Sequence, residues 1–175
     1  MEKIPYSKQS IDLADIQAIV EILEGDFITQ GPGVAKFESA FAQYCGAQYA
    51  VAVSSGTSAL IIANQALGLK RGERVLTTPN TFAATANSIE LNGGIAQLVD
   101  IDPHDFNISL QGIDAALDSH ADIKGIIPVH FAGVPADMES IAQRAEEHGL
   151  YVIEDACHAL GGSWTDSQGS EHQIG

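Results

Sequence analysis

The sequence predicts an α/β fold, a three-layer α/β/α arrangement built on a mostly parallel sheet, and three observations carry the prediction. Short apolar runs alternate with helical periods from residue 49 onward. Each apolar run is nearly continuous rather than alternating with polar residues, as in strands covered on both faces. Glycines, prolines and small polar residues separate the segments, so strands and helices follow one another as in parallel sheets. With 175 residues, 45% of them hydrophobic and 18% charged, the chain is long enough to bury roughly 70% of the surface its unfolded form exposes. That is the size of one ordinary domain.

The elements follow in order. Ser10 or Asp12 caps a first helix in which Leu13, Ile16, Ile19, Val20 and Leu23 recur at helical spacing until Gly25. Asp26 to Gly33 is a loop with two glycines and a proline. A second amphipathic helix carries Val34, Phe37, Phe41 and Tyr44 on one face and closes near Gly46. Residues 1–48 are thus a helical segment, and residues 49–175 form the α/β body.

Strand Tyr49–Val53 leads to a helix over 57–67. Strand Arg74–Thr77 precedes a helix over 83–91, and strand Ala96–Asp100 precedes one over 111–117. Strand Gly125–His130 is followed by a helix from Met138 to His148 and then by strand Leu150–Glu154. Gly161–Gly175 has no period, and its start reads as a strand entering a turn. Parallel strands joined by right-handed crossovers place the ligand crevice along the strand C-termini.

Composition narrows the function. Twenty-three acidic against eight basic residues give a net charge of −15, which argues against nucleic acid or an anionic membrane as partner. No apolar run approaches the ~20 residues that cross a bilayer. Met1-Glu2-Lys3-Ile4-Pro5 has no signal-peptide character, so the cytoplasm is the expected compartment. The two cysteines, Cys45 and Cys157, read as small buried hydrophobes rather than a disulfide framework. Cys157 next to His158 is a poor nucleophile–base pair, because neighbours on a strand point to opposite faces.

Three segments converge on that crevice. Val51–Leu60 reads as strand, small-residue turn and helix start. Its Ser55, Gly56 and Thr57 offer a close backbone approach, hydroxyls and free helix N–H groups to a phosphate. The alternative is an ordinary loop with a serine cap, and neither Gly-Lys-[Ser/Thr] nor G-x-G-x-x-G is present. Val152–Asp155 is a strand with buried Val152 and Ile153 that delivers a carboxylate. Asp155 there needs a cation, such as a protonated pyridine nitrogen, or several backbone donors. Phe82, at the start of the 83–91 helix, either stacks on a ring or packs in the core. A phosphate cradle and a carboxylate for a ring nitrogen are two requirements of a pyridoxal phosphate site. Asp100 and Asp102 form an Asp-x-Asp followed by Pro103, which reads as a turn rather than a metal site. The histidines, including His130, His148 and His158, show no ligand spacing, so no metal is expected.

In order along the chain, Thr29-Gln30-Gly31-Pro32 with Phe37-Glu38, Ser54–Leu60, Thr81–Asn87, Val99–Pro103, Pro128–Gly133 and Glu154–Ala159 resemble the DegT/DnrJ/StrS sugar nucleotide aminotransferases. These are pyridoxal phosphate enzymes of fold type I. Pro5–Ile11 and His130-Phe131-Ala132-Gly133 look most similar to the branch that aminates the 4-keto group of a UDP-linked 4-keto-6-deoxy-N-acetylhexosamine, with glutamate as donor and pyridoxamine phosphate as intermediate.

The resemblance implies that Ser55, Gly56 and Thr57 hold the phosphate, that Phe82 stacks on the ring and that Asp155 pairs with the ring nitrogen. His158 would approach the phenolic oxygen or the ring edge. Gln30, Gly31 and Pro32 would shape the sugar pocket across a homodimer interface. It also implies a Schiff-base lysine after the Glu-Asp-Ala motif. Lys3, Lys8, Lys36, Lys70 and Lys124 all precede Asp155. The expectation is therefore an incomplete large domain, lacking the C-terminal small domain and inactive alone. Two alternatives stay open: a lysine-less dehydratase using pyridoxal or pyridoxamine phosphate, and a non-catalytic sugar- or nucleotide-binding module.

Overall fold

The structure, a computed structural model, describes residues 8–175. The Pro5–Ile11 motif lies partly, and the Met1–Pro5 signal-peptide reading wholly, outside the described residues. Two compact units are distinguished. The first runs to Gln43 and includes Ala47–Ala52; the second comprises Tyr44–Gly46 and Val53–Gly175.

In the first unit, α1 (Leu13–Leu23) starts at a capping box. The Asp12 carboxylate accepts from the Ala14 and Asp15 N–H groups, and Asp15 reaches back to the Asp12 N–H. The expected apolar face forms, but Leu13, Ile16, Ile19 and Leu23 are exposed. The second helix, α2 (Pro32–Cys45), begins earlier than the sequence suggested. Proline suits the first helical position, where its missing N–H costs nothing, so Pro32 and Gly33 are helix rather than loop. Phe37 and Phe41 meet at 5.7 Å.

The second unit holds the sheet. Its elements are α3 (Gly56–Ala66), β1 (Arg74–Thr77), α4 (Ala84–Leu91), β2 (Ile95–Leu98), α5 (Leu110–Ser119), β3 (Ile123–Ile126), α6 (Met138–His148) and β4 (Tyr151–Val152). The strands are parallel in the order β2-β1-β3-β4. Strand alternation divides the core between the two faces. Val75 and Ile127 pack with Leu60 and Ile89 of α3 and α4, whereas Leu76 and Ile126 pack with Ile113, Met138 and Ile141 of α5 and α6. The predicted α/β/α layers are therefore present.

Several strands differ from expectation. Tyr49–Val53 is not a strand: its residues are exposed apart from the half-buried Ala50, and the hydrogen bond it makes among the described residues is from the Ala52 N–H to Glu38 Oε1 at 2.8 Å. β-propensity makes a strand only when a neighbour pairs with it. Strand β3 stops at Ile126 because Pro128 has no N–H for the ladder; Val129 returns as a bridge to Asp155. Strand β4 is two residues long and lies at the sheet edge. Val152 and Ile153 are consequently half-buried, not buried as expected. The tail does form strands, β5 (Ser163–Thr165) and β6 (Glu171–Gln173), in an antiparallel hairpin with Trp164 stacked on His172 at 4.3 Å.

One contact fixes β4 against its neighbours. A Cβ on Gly125 would stand 2.3 Å from the Tyr151 ring, so only glycine leaves room there. The Tyr151 hydroxyl donates to Asn64 Oδ1 of α3 at 3.0 Å, and burial pushes the phenol up to about 12.

Candidate active site

The site is assembled from three loops at the C-terminal edge of the sheet. The first is the N-terminus of α3. Ser55 caps the helix, its Oγ accepting from the Ser58 N–H at 3.2 Å. Helix geometry leaves the first-turn N–H groups of Gly56 and Thr57 without intrahelical acceptors. The cap reading is thus met, and the same turn leaves those N–H groups open. A Cβ on Gly56 would lie 3.0 Å from Cys157 Sγ, which places this turn against the segment after β4.

The second loop precedes α4. Phe82 is 78% exposed, so it is not the core phenylalanine that was one of its two readings. Thr85, one helical turn on, is fully buried, and its hydroxyl lies 2.6 Å from Asp155 Oδ2 and 2.7 Å from Thr81 Oγ1. Sequence reasoning missed Thr85. The available signal was the polar stripe Thr81, Thr85, Ser88 and Asn92 at helical spacing.

The third loop carries Asp155, which is 7% exposed. Its backbone is pinned to the end of β3: the Asp155 N–H donates to Pro128 O at 2.9 Å and the His130 N–H donates to Asp155 O at 3.2 Å. Its carboxylate accepts from Thr85 and from the Cys157 N–H at 3.3 Å. Among the described residues no cation pairs with it. A buried carboxylate with two donors and no counter-charge suits an incoming cation.

His158 and Cys157 follow and are both exposed, so Cys157 is not the buried hydrophobe expected; Cys45 is. These two positions face outward between the half-buried Ala156 and the buried Ala159. Partial burial, with the Asp155 carboxylate alongside, pushes the Cys157 thiol up to about 11, which speaks against a nucleophilic role.

Asp155, Phe82, Ser55, Gly56 and Thr57 thus sit on adjoining loops linked through Thr85 and Cys157. Gln30, Gly31 and Pro32 belong to the first unit, where Gln30 adopts a left-handed φ of 51° and the Gly31 α-carbon abuts Phe27. Asp100 and Asp102 accept from nearby backbone N–H groups of Ile101 and His104, both at 2.8 Å, as turn residues do. Among the described residues no cluster of His, Cys, Asp or Glu could hold a metal, and no helix is long and apolar enough to cross a membrane.

Comparison with known proteins decides the family. The sequence profile of the DegT/DnrJ/EryC1/StrS aminotransferase family matches residues 9–175. The chain belongs to this family. The spore coat polysaccharide biosynthesis protein SpsC of Bacillus subtilis is 42% identical over 157 residues, covering 90% of this chain and 40% of SpsC. Helicobacter pylori PseC, an aminotransferase involved in the biosynthesis of pseudoaminic acid, superposes with a TM-score of 0.89 at 28% identity, over 99% of this chain and 45% of PseC. NtdA from Bacillus subtilis, solved with bound cofactor PMP, gives 0.79 at 38% identity over 83% of this chain and 33% of NtdA. The resemblance drawn from six motifs is borne out. The chain spans less than half the length of these DegT/DnrJ/EryC1/StrS relatives.

Proposed function

We propose that this chain is the cofactor-binding part of a pyridoxal phosphate-dependent aminotransferase of nucleotide-sugar biosynthesis. We assign residues 1–48 to its N-terminal helical segment and 49–175 to its large domain. The observation that carries the reading is Asp155: a buried carboxylate, held by Thr85 and the Cys157 N–H, lacking a cation among the described residues. A protonated ring nitrogen is the partner that such a carboxylate fits. The exposed Phe82 ring and the free N–H groups of Gly56 and Thr57, with Ser55 as the cap, support the rest of the cofactor's shape.

The roles of the residues follow from their chemistry. Asp155 keeps a proton on the ring nitrogen by stabilising positive charge. Thr85 holds the Asp155 carboxylate in place by donating to it. Gly56 lets the phosphate approach the backbone, while Thr57 and Ser55 supply hydroxyl and N–H donors without a lysine or arginine. Phe82 orients the ring by stacking, and His158 borders it. When bound, pyridoxal phosphate supplies an electron sink for the carbon that exchanges its amino group.

The substrate we assign is a UDP-linked 4-keto-6-deoxy-N-acetylhexosamine, aminated at the 4-keto carbon with glutamate as donor, in a cytoplasmic homodimer. The polysaccharide and pseudoaminic acid biosynthesis roles of SpsC and PseC support this class. Gln30, Gly31 and Pro32 are its sugar-contacting loop. Residues 156–175 contain no lysine.

The test is titration of the full reading frame with pyridoxamine phosphate, followed by an amine-transfer assay on the keto-sugar nucleotide. Saturable binding that Asp155→Ala weakens strongly, with amination of the sugar, is expected. Absence of binding, or an Asp155→Ala variant that turns over normally, overturns the reading.

A further inference from the structure

Asp155 can serve a cofactor only if its strand is in the right register. Strand side chains alternate, so a slip of one residue would turn Asp155 to the opposite face of the sheet. The hydrophobic pattern defines this register weakly, because β4 has two residues and Val152 and Ile153 are half-buried on an open edge. The Tyr151 ring against Gly125 and its hydroxyl on Asn64 hold the start of β4; farther along, where Asp155 lies, a separate contact makes the selection.

His130 and Glu154 supply that selection. The His130 side chain is fully buried. Its Nδ1 accepts from the Ala136 N–H at 3.0 Å, so that nitrogen carries no proton. The ring proton therefore sits on Nε2, which donates to Glu154 Oε2 at 2.8 Å. The ring is neutral, in one tautomer, with both nitrogens engaged. Ala136 belongs to the core facing α5 and α6, whereas Thr85, the partner of Asp155, lies on α4 across the sheet. Glu154 and Asp155 are thus anchored toward opposite faces, Glu154 by His130 and Asp155 by Thr85. In a slipped register the buried Nε2–H would lose its acceptor, a costly outcome for a group with no water to turn to.

We propose that His130 and Glu154 are positioning residues, whose hydrogen bond fixes the β3–β4 register and thereby turns the Asp155 carboxylate toward the cofactor. The inference rests on the cofactor role assigned to Asp155 and adds how that role is secured.

Glu154 is the residue to vary, since it is partly exposed and its loss spares the core. In the full reading frame, Glu154→Gln keeps an acceptor for Nε2–H and Glu154→Ala does not. Glu154→Ala should raise the dissociation constant for pyridoxamine phosphate at least tenfold and speed hydrogen exchange at the Asp155 and His130 amides in the cofactor-free protein. Glu154→Gln should stay within about twofold of the unsubstituted protein in both. Nitrogen-15 spectra should show His130 protonated at Nε2. Equal behaviour of the Ala variant and the unsubstituted protein, equal damage by Gln and Ala, or a proton on Nδ1 would each overturn the inference. Failure of the unsubstituted protein to bind pyridoxamine phosphate would instead overturn the proposed function, and the exchange comparison would still report on the register.

Discussion

Thr85 Oγ1 lies 2.6 Å from Asp155 Oδ2 and ties the first turn of α4 to the segment after β4. A hydroxyl has one proton. The carboxylate is its shortest and only charged partner, so Thr81, 2.7 Å away, donates to Thr85 in turn. Thr85→Val keeps the shape and removes the donor, leaving the buried carboxylate with the Cys157 N–H. The loss should cost about 1–3 kcal/mol of stability, read by denaturant unfolding, and should weaken pyridoxamine phosphate binding. Thr85→Ser should restore both. An unaffected Thr85→Val protein would mean that Asp155 is held by other contacts.

Asp155→Asn keeps the volume and removes the charge. In the full reading frame amine transfer should fall by about 10²–10³-fold, the scale for losing one preorganised electrostatic contact. Steady-state kinetics with the keto-sugar nucleotide check this; near-normal turnover removes Asp155 from the mechanism.

Gly56 and Cys157 are a second coupled pair. A methyl at position 56 would stand 3.0 Å from Cys157 Sγ, closer than an unstrained contact. Gly56→Ala should therefore reduce cofactor affinity, and adding Cys157→Ala should recover part of the loss. A double-mutant cycle on the dissociation constant measures the coupling. Strict additivity would show that the two residues do not meet.

The Cys157 thiol also has a definite pH behaviour. With its pKa pushed up to about 11, roughly one thiol in three thousand is ionised at pH 7.5. Alkylation by iodoacetamide should be slow there and rise about tenfold per pH unit up to pH 10. Burial is the larger cause and the Asp155 charge contributes, so Asp155→Asn should lower the pKa and speed labelling at neutral pH. Mass spectrometry of the labelled peptide separates Cys157 from the buried Cys45.

Arg144 clamps Asp114 through two bonds, 2.6 and 2.9 Å, joining α6 to α5. The hydrogen bond from Arg144 holds the Asp114 carboxyl below its usual range. A depressed folded pKa means stability present above the ordinary carboxylate value and lost as pH falls through the folded one. The pair is half-exposed, so Asp114→Asn should cost at most about 1 kcal/mol at pH 7 and less at pH 2. Thermal melts at the two pH values test this.

How much of this was legible depends on where the determinants lie. Helix α6 was read to its exact ends, because Asp137 caps it, Gly149 ends it in a left-handed conformation and its apolar period is regular. These are local signals. Strand Tyr49–Val53 failed because pairing is a property of two segments, and no local pattern reveals an absent neighbour. In the site, Gly56, Phe82 and Asp155 stood out for their residue type at a strand or helix boundary. Thr85 and His130 did not: each matters through one partner, 70 residues away for Thr85 and 24 for His130. Composition and periodicity carry nothing about such pairings. The exposure of Cys157 was missed for a similar reason, since cover comes from the elements around a residue.

The space that Gly125 leaves for the Tyr151 ring has an evolutionary consequence. The two positions cannot drift independently, nor in either order. A lineage that first shortens Tyr151 opens a gap that Gly125→Ala can later fill, at the loss of the hydroxyl tether to Asn64. A lineage that first adds the methyl meets the ring at 2.3 Å and stalls. Among descendants, an alanine at 125 should therefore be found only beside a smaller residue at 151, a historical asymmetry written into one missing side chain.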